Sequence, residues 1–270
     1  MTARDWWDLT TRDFAEMDLG SAVALLPVAA VEQHGPHLPV RVDAAINAGI
    51  IEAARTLVPD DVNLLILPAQ HVGKSNEHLA FPGTLSISYE TLGRFWLDLS
   101  ESVHRAGCRR IIIFNSHGGQ PQLVDIVCRE LRVRLRMLAV NCSWFNIVDM
   151  SDLFDPAELR HGIHGGAVET SIMLHLHPGL VKMSEAGNFP SIAEVIEREN
   201  RVLRVEGAVG FGWQTQDLNV HGVCGNAGKA EAGAGAILVG RAAQALAALI
   251  SEVARFPLAR IVDQAPTRDD

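Results

Sequence analysis

The sequence predicts an α/β fold in which a mainly parallel sheet lies between layers of helices. Apolar runs of strand length alternate with longer segments whose apolar residues recur every three to four positions. This alternation is typical of a parallel sheet that is covered by helices on both faces. The composition agrees, because 48% hydrophobic and 20% charged residues are an ordinary globular balance with ample material for a core.

The first half of the chain carries this alternation in order. Four apolar runs predict strands, at Ala22–Ala30, Leu64–Ala69, Arg110–Asn115 and Arg136–Asn141. Three segments with helical periodicity lie between these runs, at Asp43–Leu57, Ser88–Ala106 and Pro121–Val133. In parallel sheets the ligand crevice lies beyond the carboxyl ends of the strands. We therefore expect functional residues directly after the apolar runs.

The alternation loosens after Asn141. Residues 143–165 are rich in Asp, His and Gly and predict a long functional loop, and residues 166–177 predict a helix. Residues 185–227 predict irregular structure with one helix at Ile192–Leu203, and Lys229–Ala254 predicts an Ala-rich closing helix. No Ser/Gly linker, charge run or internal repeat separates these pieces, so we expect one domain that spans residues 1–270.

The overall charge disfavours two classes of partner. Lys and Arg total 23 and Asp and Glu total 32, so the formal net charge is 23 − 32 = −9. An acidic chain without runs of Lys or Arg is not expected to bind nucleic acid or an anionic membrane. No window reaches the ~18 uninterrupted apolar residues of a membrane span, and the N-terminal segment lacks a secretory pattern. Four scattered cysteines without a C-x-x-C pair predict reduced, mostly buried thiols in a cytoplasmic protein.

Carboxylates and imidazoles follow the predicted strands. Glu32 and His34 come after the first strand, Asp43 begins the next helix, and His117 follows the third strand before two glycines. Carboxylate oxygens and neutral imidazole nitrogens form a ligand set that suits Zn, Mn or Fe. Taken singly, each residue has a simpler explanation: a chance Glu-x-His pair, a helix cap at Asp43 or a loop histidine. Their joint position at successive strand ends favours a metal site.

Five strings in the sequence resemble the creatininase (creatinine amidohydrolase) family and occur in the family's order. They are residues 32–39 (EQHGPHLP), 73–78 (GKSNEH), 81–86 (FPGTLS), 115–119 (NSHGG) and 164–171 (HGGAVETS). A later segment, residues 222–226 followed by 230–233, is also similar. The resemblance implies a three-layer α/β/α fold, a dinuclear metal site and a homo-oligomer, usually a hexamer.

The resemblance also implies a ligand set in which Asp43 bridges two cations. The residues that match family ligands are Glu32, His34, Asp43 and His117. Creatininase itself has a His-x-Glu where this chain has His117-Gly118-Gly119. Glu169 is the substitute that we expect for the missing ligand, although it is also a candidate for the catalytic acid or base.

Further positions match residues that face the substrate in the family. Ser75 matches a serine that contacts the substrate, and His164 matches a histidine at the reaction centre and is the candidate proton donor to the leaving nitrogen. Arg160 and His161 are the other expected substrate-binding residues. They stand where creatinine-opening enzymes carry Trp-Asp, so the resemblance does not extend to creatinine as the substrate.

Together these features predict an amidohydrolase that acts on carbon–nitrogen bonds other than ordinary peptide bonds. We expect two divalent ions per chain (Zn, Mn or Fe), with hydroxide held between them attacking a small cyclic amide or amide-like bond. A deformylase or small-peptide peptidase would use the same chemistry on a different bond. A non-catalytic nucleotide-binding or regulatory module is a third alternative, weakened by the lack of a G-x-G-x-x-G or Lys-Ser/Thr phosphate loop.

Overall fold

The computed structural model describes residues 3–262 and is built on a five-stranded parallel sheet. The strands lie in the order β1-β3-β2-β4-β5, and every neighbouring pair is parallel. Their bounds are β1 Arg4–Asp5, β2 Val23–Val28, β3 Leu64–Ile66, β4 Arg110–Asn115 and β5 Leu138–Ser143. A separate antiparallel pair joins β6 (Asn188–Phe189) to β7 (Gly225–Asn226). Met1 and Thr2, which open the N-terminal segment examined for a secretory signal, lie outside the described residues.

Helices cover both faces of the sheet. Their bounds are α1 Thr11–Glu16, α2 Val42–Arg55, α3 Tyr89–Ala106, α4 Pro121–Leu135, α5 Pro156–His161, α6 Ala167–Leu176, α7 Ala193–Glu199, α8 Thr215–Leu218 and α9 Ala232–Arg255. Helices α2, α6 and α9 pack on one another against one face, and α3 packs beside α4 against the other. The predicted three-layer α/β/α fold with a mainly parallel sheet is confirmed.

The central strands are buried on both faces, which explains why their sequences are continuous apolar runs rather than alternating ones. All six residues of β2 and all six of β4 are buried. Within β2, Val23 and Leu25 belong to the core beneath α2 and α9, whereas Ala24 and Leu26 belong to the core that contains Trp96 of α3. Successive side chains of a strand point to opposite faces, so one strand supplies both cores.

Two strand boundaries differ from the predicted ones. Strand β3 ends at Ile66 instead of Ala69, because Pro68 has no N–H group to continue the ladder. Strand β5 begins at Leu138 instead of Arg136, because Arg136 adopts a left-handed conformation (φ 59°) that ends α4. Apolar composition alone does not show these local breaks.

The second half contains more helix at one place and less at another than the sequence predicts. The segment predicted as the loop 143–165 includes α5, which begins at Pro156, a residue suited to the first turn of a helix. The helix predicted at Ile192–Leu203 is shorter, because Asn200 leaves the helical conformation. The four cysteines are buried and free of disulfide bonds, as predicted.

Helix α9 is long and apolar enough to cross a membrane by length and composition, with a mean hydropathy of 1.6. In the fold it is a core helix. Leu238, Ala242, Leu246 and Ile250 are fully buried in the cluster that α9 shares with α2 and α6. Its apolar side is therefore covered by the protein itself.

Candidate metal centre

Four polar side chains from separate elements meet beyond the carboxyl ends of β2 and β4. Glu32 and His34 follow β2, Asp43 lies in the first turn of α2, and His117 follows β4. Their relative exposures are 1%, 0%, 2% and 2%, so all four are buried. The parallel sheet brings these elements to one edge, as the strand-end rule predicts. Glu169, in the first turn of α6, joins them from the neighbouring layer.

His34 forms the first half of the centre. Its Nε2 lies 3.6 Å from Oδ1 of Asp43 and 3.7 Å from Oε2 of Glu169. Its Nδ1 lies 3.0 Å from the carbonyl oxygen of Glu32, to which an Nδ1–H group donates. This bond leaves the Nε2 lone pair free for a metal ion. Within residues 3–262, Nε2 of His34 has no hydrogen-bond partner.

His117 forms the second half. Its Nδ1 lies 3.2 Å from Oε2 of Glu32 and 3.4 Å from Oδ2 of Asp43. Its Nε2 lies 2.8 Å from the carbonyl oxygen of Lys74 and donates to it, which leaves the Nδ1 lone pair for a ligand role. Asp43 thus presents Oδ1 to His34 and Oδ2 to His117. Asp43 therefore lies between the two imidazole nitrogens.

The electrostatics of the cluster favour cations. Burial alone would lower the pKa of His34, but the carboxylates of Glu169 and Asp43 raise it well above its ordinary value. Burial alone would also lower the pKa of His117, but the carboxylates of Glu32 and Asp43 raise it well above its ordinary value. Burial would raise the pKa of Glu169, but His34 brings it down to about 2. Oδ2 of Asp43 and Nε2 of His34 are buried without a hydrogen-bond partner within residues 3–262, and this set of carboxylates and imidazoles fits divalent ions.

His164 and Ser75 contact the centre through Glu32. The Nε2–H group of His164 donates to the carbonyl oxygen of Gln33 (2.7 Å), and its Nδ1 lies 3.7 Å from Oε1 of Glu32. Burial, with the neighbouring His34, lowers the pKa of His164 to about 4. Ser75 is fully buried and donates its hydroxyl proton to Oε2 of Glu32. The structure therefore places both Ser75 and His164 against Glu32.

Arg160 and His161 do not meet these residues. Both lie at the end of α5, where the guanidinium group of Arg160 donates to the carboxylate of Glu197 on α7. The Nε2 of His161 lies 3.2 Å from the same carboxylate. The helix at 156–161 places both side chains beside Glu197 of α7.

Glu77, which belongs to the string at residues 73–78, lies against His117. Its Oε1 lies 3.2 Å from Nε2 of His117, and its Oε2 lies 2.8 Å from Nζ of Lys74. Burial would raise its pKa, but His117 and Lys74 lower it to about 2. The Gly118-Gly119 pair after His117 was the available signal, because glycines leave room for another side chain to approach.

A cavity of about 620 Å³ opens onto the centre. It is lined by Glu32, Asp43, His117 and Glu169 and by residues 205–208 and 210–214, which include Phe211 and Trp213. A small substrate entering this cavity would reach Asp43 and His164 directly. Trp213 lines the cavity, so its aromatic ring is available to contact such a substrate.

Comparison with known proteins identifies the family. The model of the creatininase family, described as creatinine amidohydrolase, matches residues 7–250. The chain belongs to the creatininase family. It is therefore a creatininase-family hydrolase, and the resemblance carried by the five strings is confirmed.

Relatives within the creatininase family differ in what they act on. A creatinine amidohydrolase of Pseudomonas putida is 29% identical over 200 residues, which cover 68% of this chain and 75% of that protein. A mycofactocin precursor peptide peptidase of Mycolicibacterium smegmatis is 33% identical over 184 residues, covering 65% and 67%. Family membership therefore leaves the choice of substrate open.

Solved creatininase structures share the fold. A zinc–zinc form of a creatininase variant has a TM-score of 0.73 at 24% identity and covers 93% of this chain and 98% of its own. A manganese form has a TM-score of 0.72 at 24% identity with the same coverage. Those proteins bind zinc or manganese, and this chain holds buried groups of candidate metal ligands.

Proposed function

We propose that this chain binds two divalent cations, one beside His34 and one beside His117, and hydrolyses an amide-like C–N bond of a small substrate. The observation that carries the proposal is the position of Asp43, whose two oxygens face the two imidazole nitrogens at 3.6 and 3.4 Å. Glu169 completes the His34 position, and Glu32 completes the His117 position. Zinc or manganese suits this set of nitrogen and oxygen ligands.

The residues of the chain prepare the site in three ways. The carbonyl groups of Glu32 and Lys74 accept hydrogen bonds from ring N–H groups of His34 and His117. These bonds orient the opposite ring nitrogens toward the centre. When bound, the cations lower the pKa of a water molecule and polarise the carbonyl oxygen of a substrate. His164 keeps Nε2–H on Gln33, so its Nδ1 is free to accept a proton from water and pass it to the leaving nitrogen.

A peptide substrate is the second candidate function. The relative from Mycolicibacterium smegmatis, 33% identical to this chain, is a peptide peptidase. The open cavity of about 620 Å³ is large enough for the end of a peptide. The same ligand set would serve either reaction, so the other residues that line the cavity would determine which substrate binds.

The test combines metal analysis with an activity screen. Purified protein loaded with Zn or Mn should carry about two ions per chain and turn over at least one cyclic amide, formamide or short peptide. Treatment with a chelator should abolish turnover, and addition of either metal should restore it. A protein that binds no metal in any of these conditions would overturn the proposal.

We also propose that the chain works as a cytoplasmic homo-oligomer. Exposed apolar side chains recur along residues 202–220, including Val202, Val209 and Val220 at 62%, 50% and 76% exposure. Exposed apolar surface of this kind commonly marks an interface. Light scattering at micromolar concentration tests the assembly, and a monomer mass would contradict it.

A further inference from the structure

The carboxylate of Glu77 lies beside Nε2 of His117, and Glu77, Glu32 and His117 form one buried group of candidate metal ligands. The Nδ1 of His117 faces Glu32 and Asp43, whereas Nε2 lies 3.2 Å from Oε1 of Glu77. The same Nε2 donates to the carbonyl oxygen of Lys74 at 2.8 Å, so its N–H group lies between that carbonyl group and the carboxylate. This Oε1 is buried and has no hydrogen-bond partner within residues 3–262. It is therefore available to His117.

Several contacts hold Glu77 in this position. Its backbone carbonyl accepts the hydroxyl proton of Thr215 (3.1 Å), and its Oε2 pairs with Nζ of Lys74 at 2.8 Å. Lys74 also donates to the carbonyl oxygen of Gly119 (3.0 Å), which ties the ion pair to the loop after His117. Glu77 is thus held both at its backbone and at its carboxylate.

Gly119 provides the space that Glu77 occupies. An ideal Cβ at this position would lie 2.8 Å from Cδ of Glu77 and closer still to Oε1. Real Cβ atoms do not approach neighbours so closely, so any side chain at 119 would displace the carboxylate. Gly118, by contrast, has open space around it. The second glycine of the pair is therefore required for packing, and the first is not.

We propose that Glu77 is a positioning residue that holds the Nε2–H group of His117 and thereby directs the Nδ1 lone pair at a metal ion. This inference rests on the proposed function, because it presumes a cation beside His117. Metal-ligating imidazoles commonly donate their second N–H group to a carboxylate, which fixes the ring and makes it a stronger ligand. Lys74, 2.8 Å from Oε2, balances the negative charge that Glu77 adds beside a cluster already rich in carboxylates.

The test is the metal affinity of Glu77→Gln. The amide keeps the size of the side chain but is a weaker acceptor for the Nε2–H group. We expect one of the two ions to bind on the order of 10- to 100-fold more weakly in a chelator competition, while the other keeps its affinity. In the zinc-loaded protein, the NMR signal of the His117 Nε2 proton should also move upfield.

Glu101→Gln is the matched control. Glu101 is likewise a partly buried carboxylate paired with a cation, at 2.9 Å from Arg134, but it lies outside the centre. It should leave both the metal affinities and the His117 proton signal unchanged. An effect of equal size in this control would show that loss of any paired carboxylate weakens binding, and the proposal would then be wrong.

Gly119→Ala provides a second variant that leaves Glu77 itself intact. The added methyl group would meet Nε2 of His117 at 2.5 Å as well as the Glu77 carboxylate, so it should displace both side chains and weaken binding of the same ion at least as much as Glu77→Gln does.

Three results would contradict the inference, and they can be told apart. Unchanged affinity for both ions in Glu77→Gln would show that Glu77 does not act on His117. Loss of one ligand from the metal, detected by X-ray absorption, would show that Glu77 binds the ion directly. A wild-type protein that binds no metal would instead overturn the proposed function itself.

Discussion

Removal of the Asp43 carboxylate is the sharpest perturbation of the proposed centre. The two oxygens of Asp43 face the two imidazoles, with Oδ1 3.6 Å from His34 and Oδ2 3.4 Å from His117. Asp43→Ala therefore removes a ligand from both cation positions at once. It also removes the negative charge between two cations, whose repulsion grows in a buried site of low dielectric constant. We expect this variant to bind neither ion tightly.

The size of the expected change in melting temperature follows from the linkage between metal binding and folding. An ion present at 100 times its dissociation constant stabilises the folded state by about 2.7 kcal/mol. Two positions that share Asp43 would then contribute about 5 kcal/mol together. For a chain of roughly this length, each kcal/mol shifts the melting temperature by about 2–4 °C. The wild-type protein should therefore melt about 10–20 °C higher with metal than after chelation, and Asp43→Ala should show almost no shift.

The assay pairs thermal unfolding with metal analysis and turnover. Glu52→Ala is the matched control, because Glu52 is a carboxylate on the same helix with its side chain 75% exposed. It should keep the full response to metal. His164→Ala should keep both ions while turnover falls about a hundred-fold or more, the usual scale for one acid–base group. A wild-type metal response in Asp43→Ala would refute the bridging role, and metal loss in His164→Ala would make His164 a ligand.

Three further outcomes follow from the structure. Glu169→Gln should weaken only the ion beside His34, because Oε2 of Glu169 lies 3.7 Å from that imidazole; metal analysis that still finds two tightly held ions would contradict this. Metal binding should release protons and weaken as pH falls, because the raised pKa values of His34 and His117 mean that cations must displace protons from both. Calorimetry in buffers of different ionisation enthalpy measures that release, and heats independent of buffer would count against it. Trp96→Ala should cost about 3–5 kcal/mol of unfolding free energy in a denaturant titration without changing metal content, since Trp96 is fully buried in the core away from the centre; a cost below 1 kcal/mol would be inconsistent with that packing.

The sheet and its two helical layers were predictable because the pattern that encodes them is local. In β2 and β4 every residue is apolar or buried, and the intervening helices repeat apolar residues every three to four positions. The strand-end rule then places Glu32, His34 and His117 at one edge without any knowledge of side-chain geometry. The boundaries were less predictable, because the left-handed turn at Arg136 depends on how α4 ends against β5.

The roles of several residues could not be assigned in this way. Arg160 and His161 occupy family positions that suggest contact with substrate, but α5 turns them toward Glu197. Ser75 lies behind Glu32 rather than in the cavity, because its hydroxyl group donates to that carboxylate. Each case depends on a partner more than 35 positions away in the chain, and no local pattern specifies such a partner.

The sequence alone determined the fold class, the family and the chemical character of the centre. Periodicity, motif order and ligand type can all be recognised within short segments of the chain. Only the tertiary structure decided which atoms face one another. It showed that Asp43 divides its two oxygens between His34 and His117, and that Glu77 fills the space that Gly119 leaves open. Those relations arise where loops from separate strands converge, and their geometry is set by packing across the whole sheet rather than by any segment of the chain.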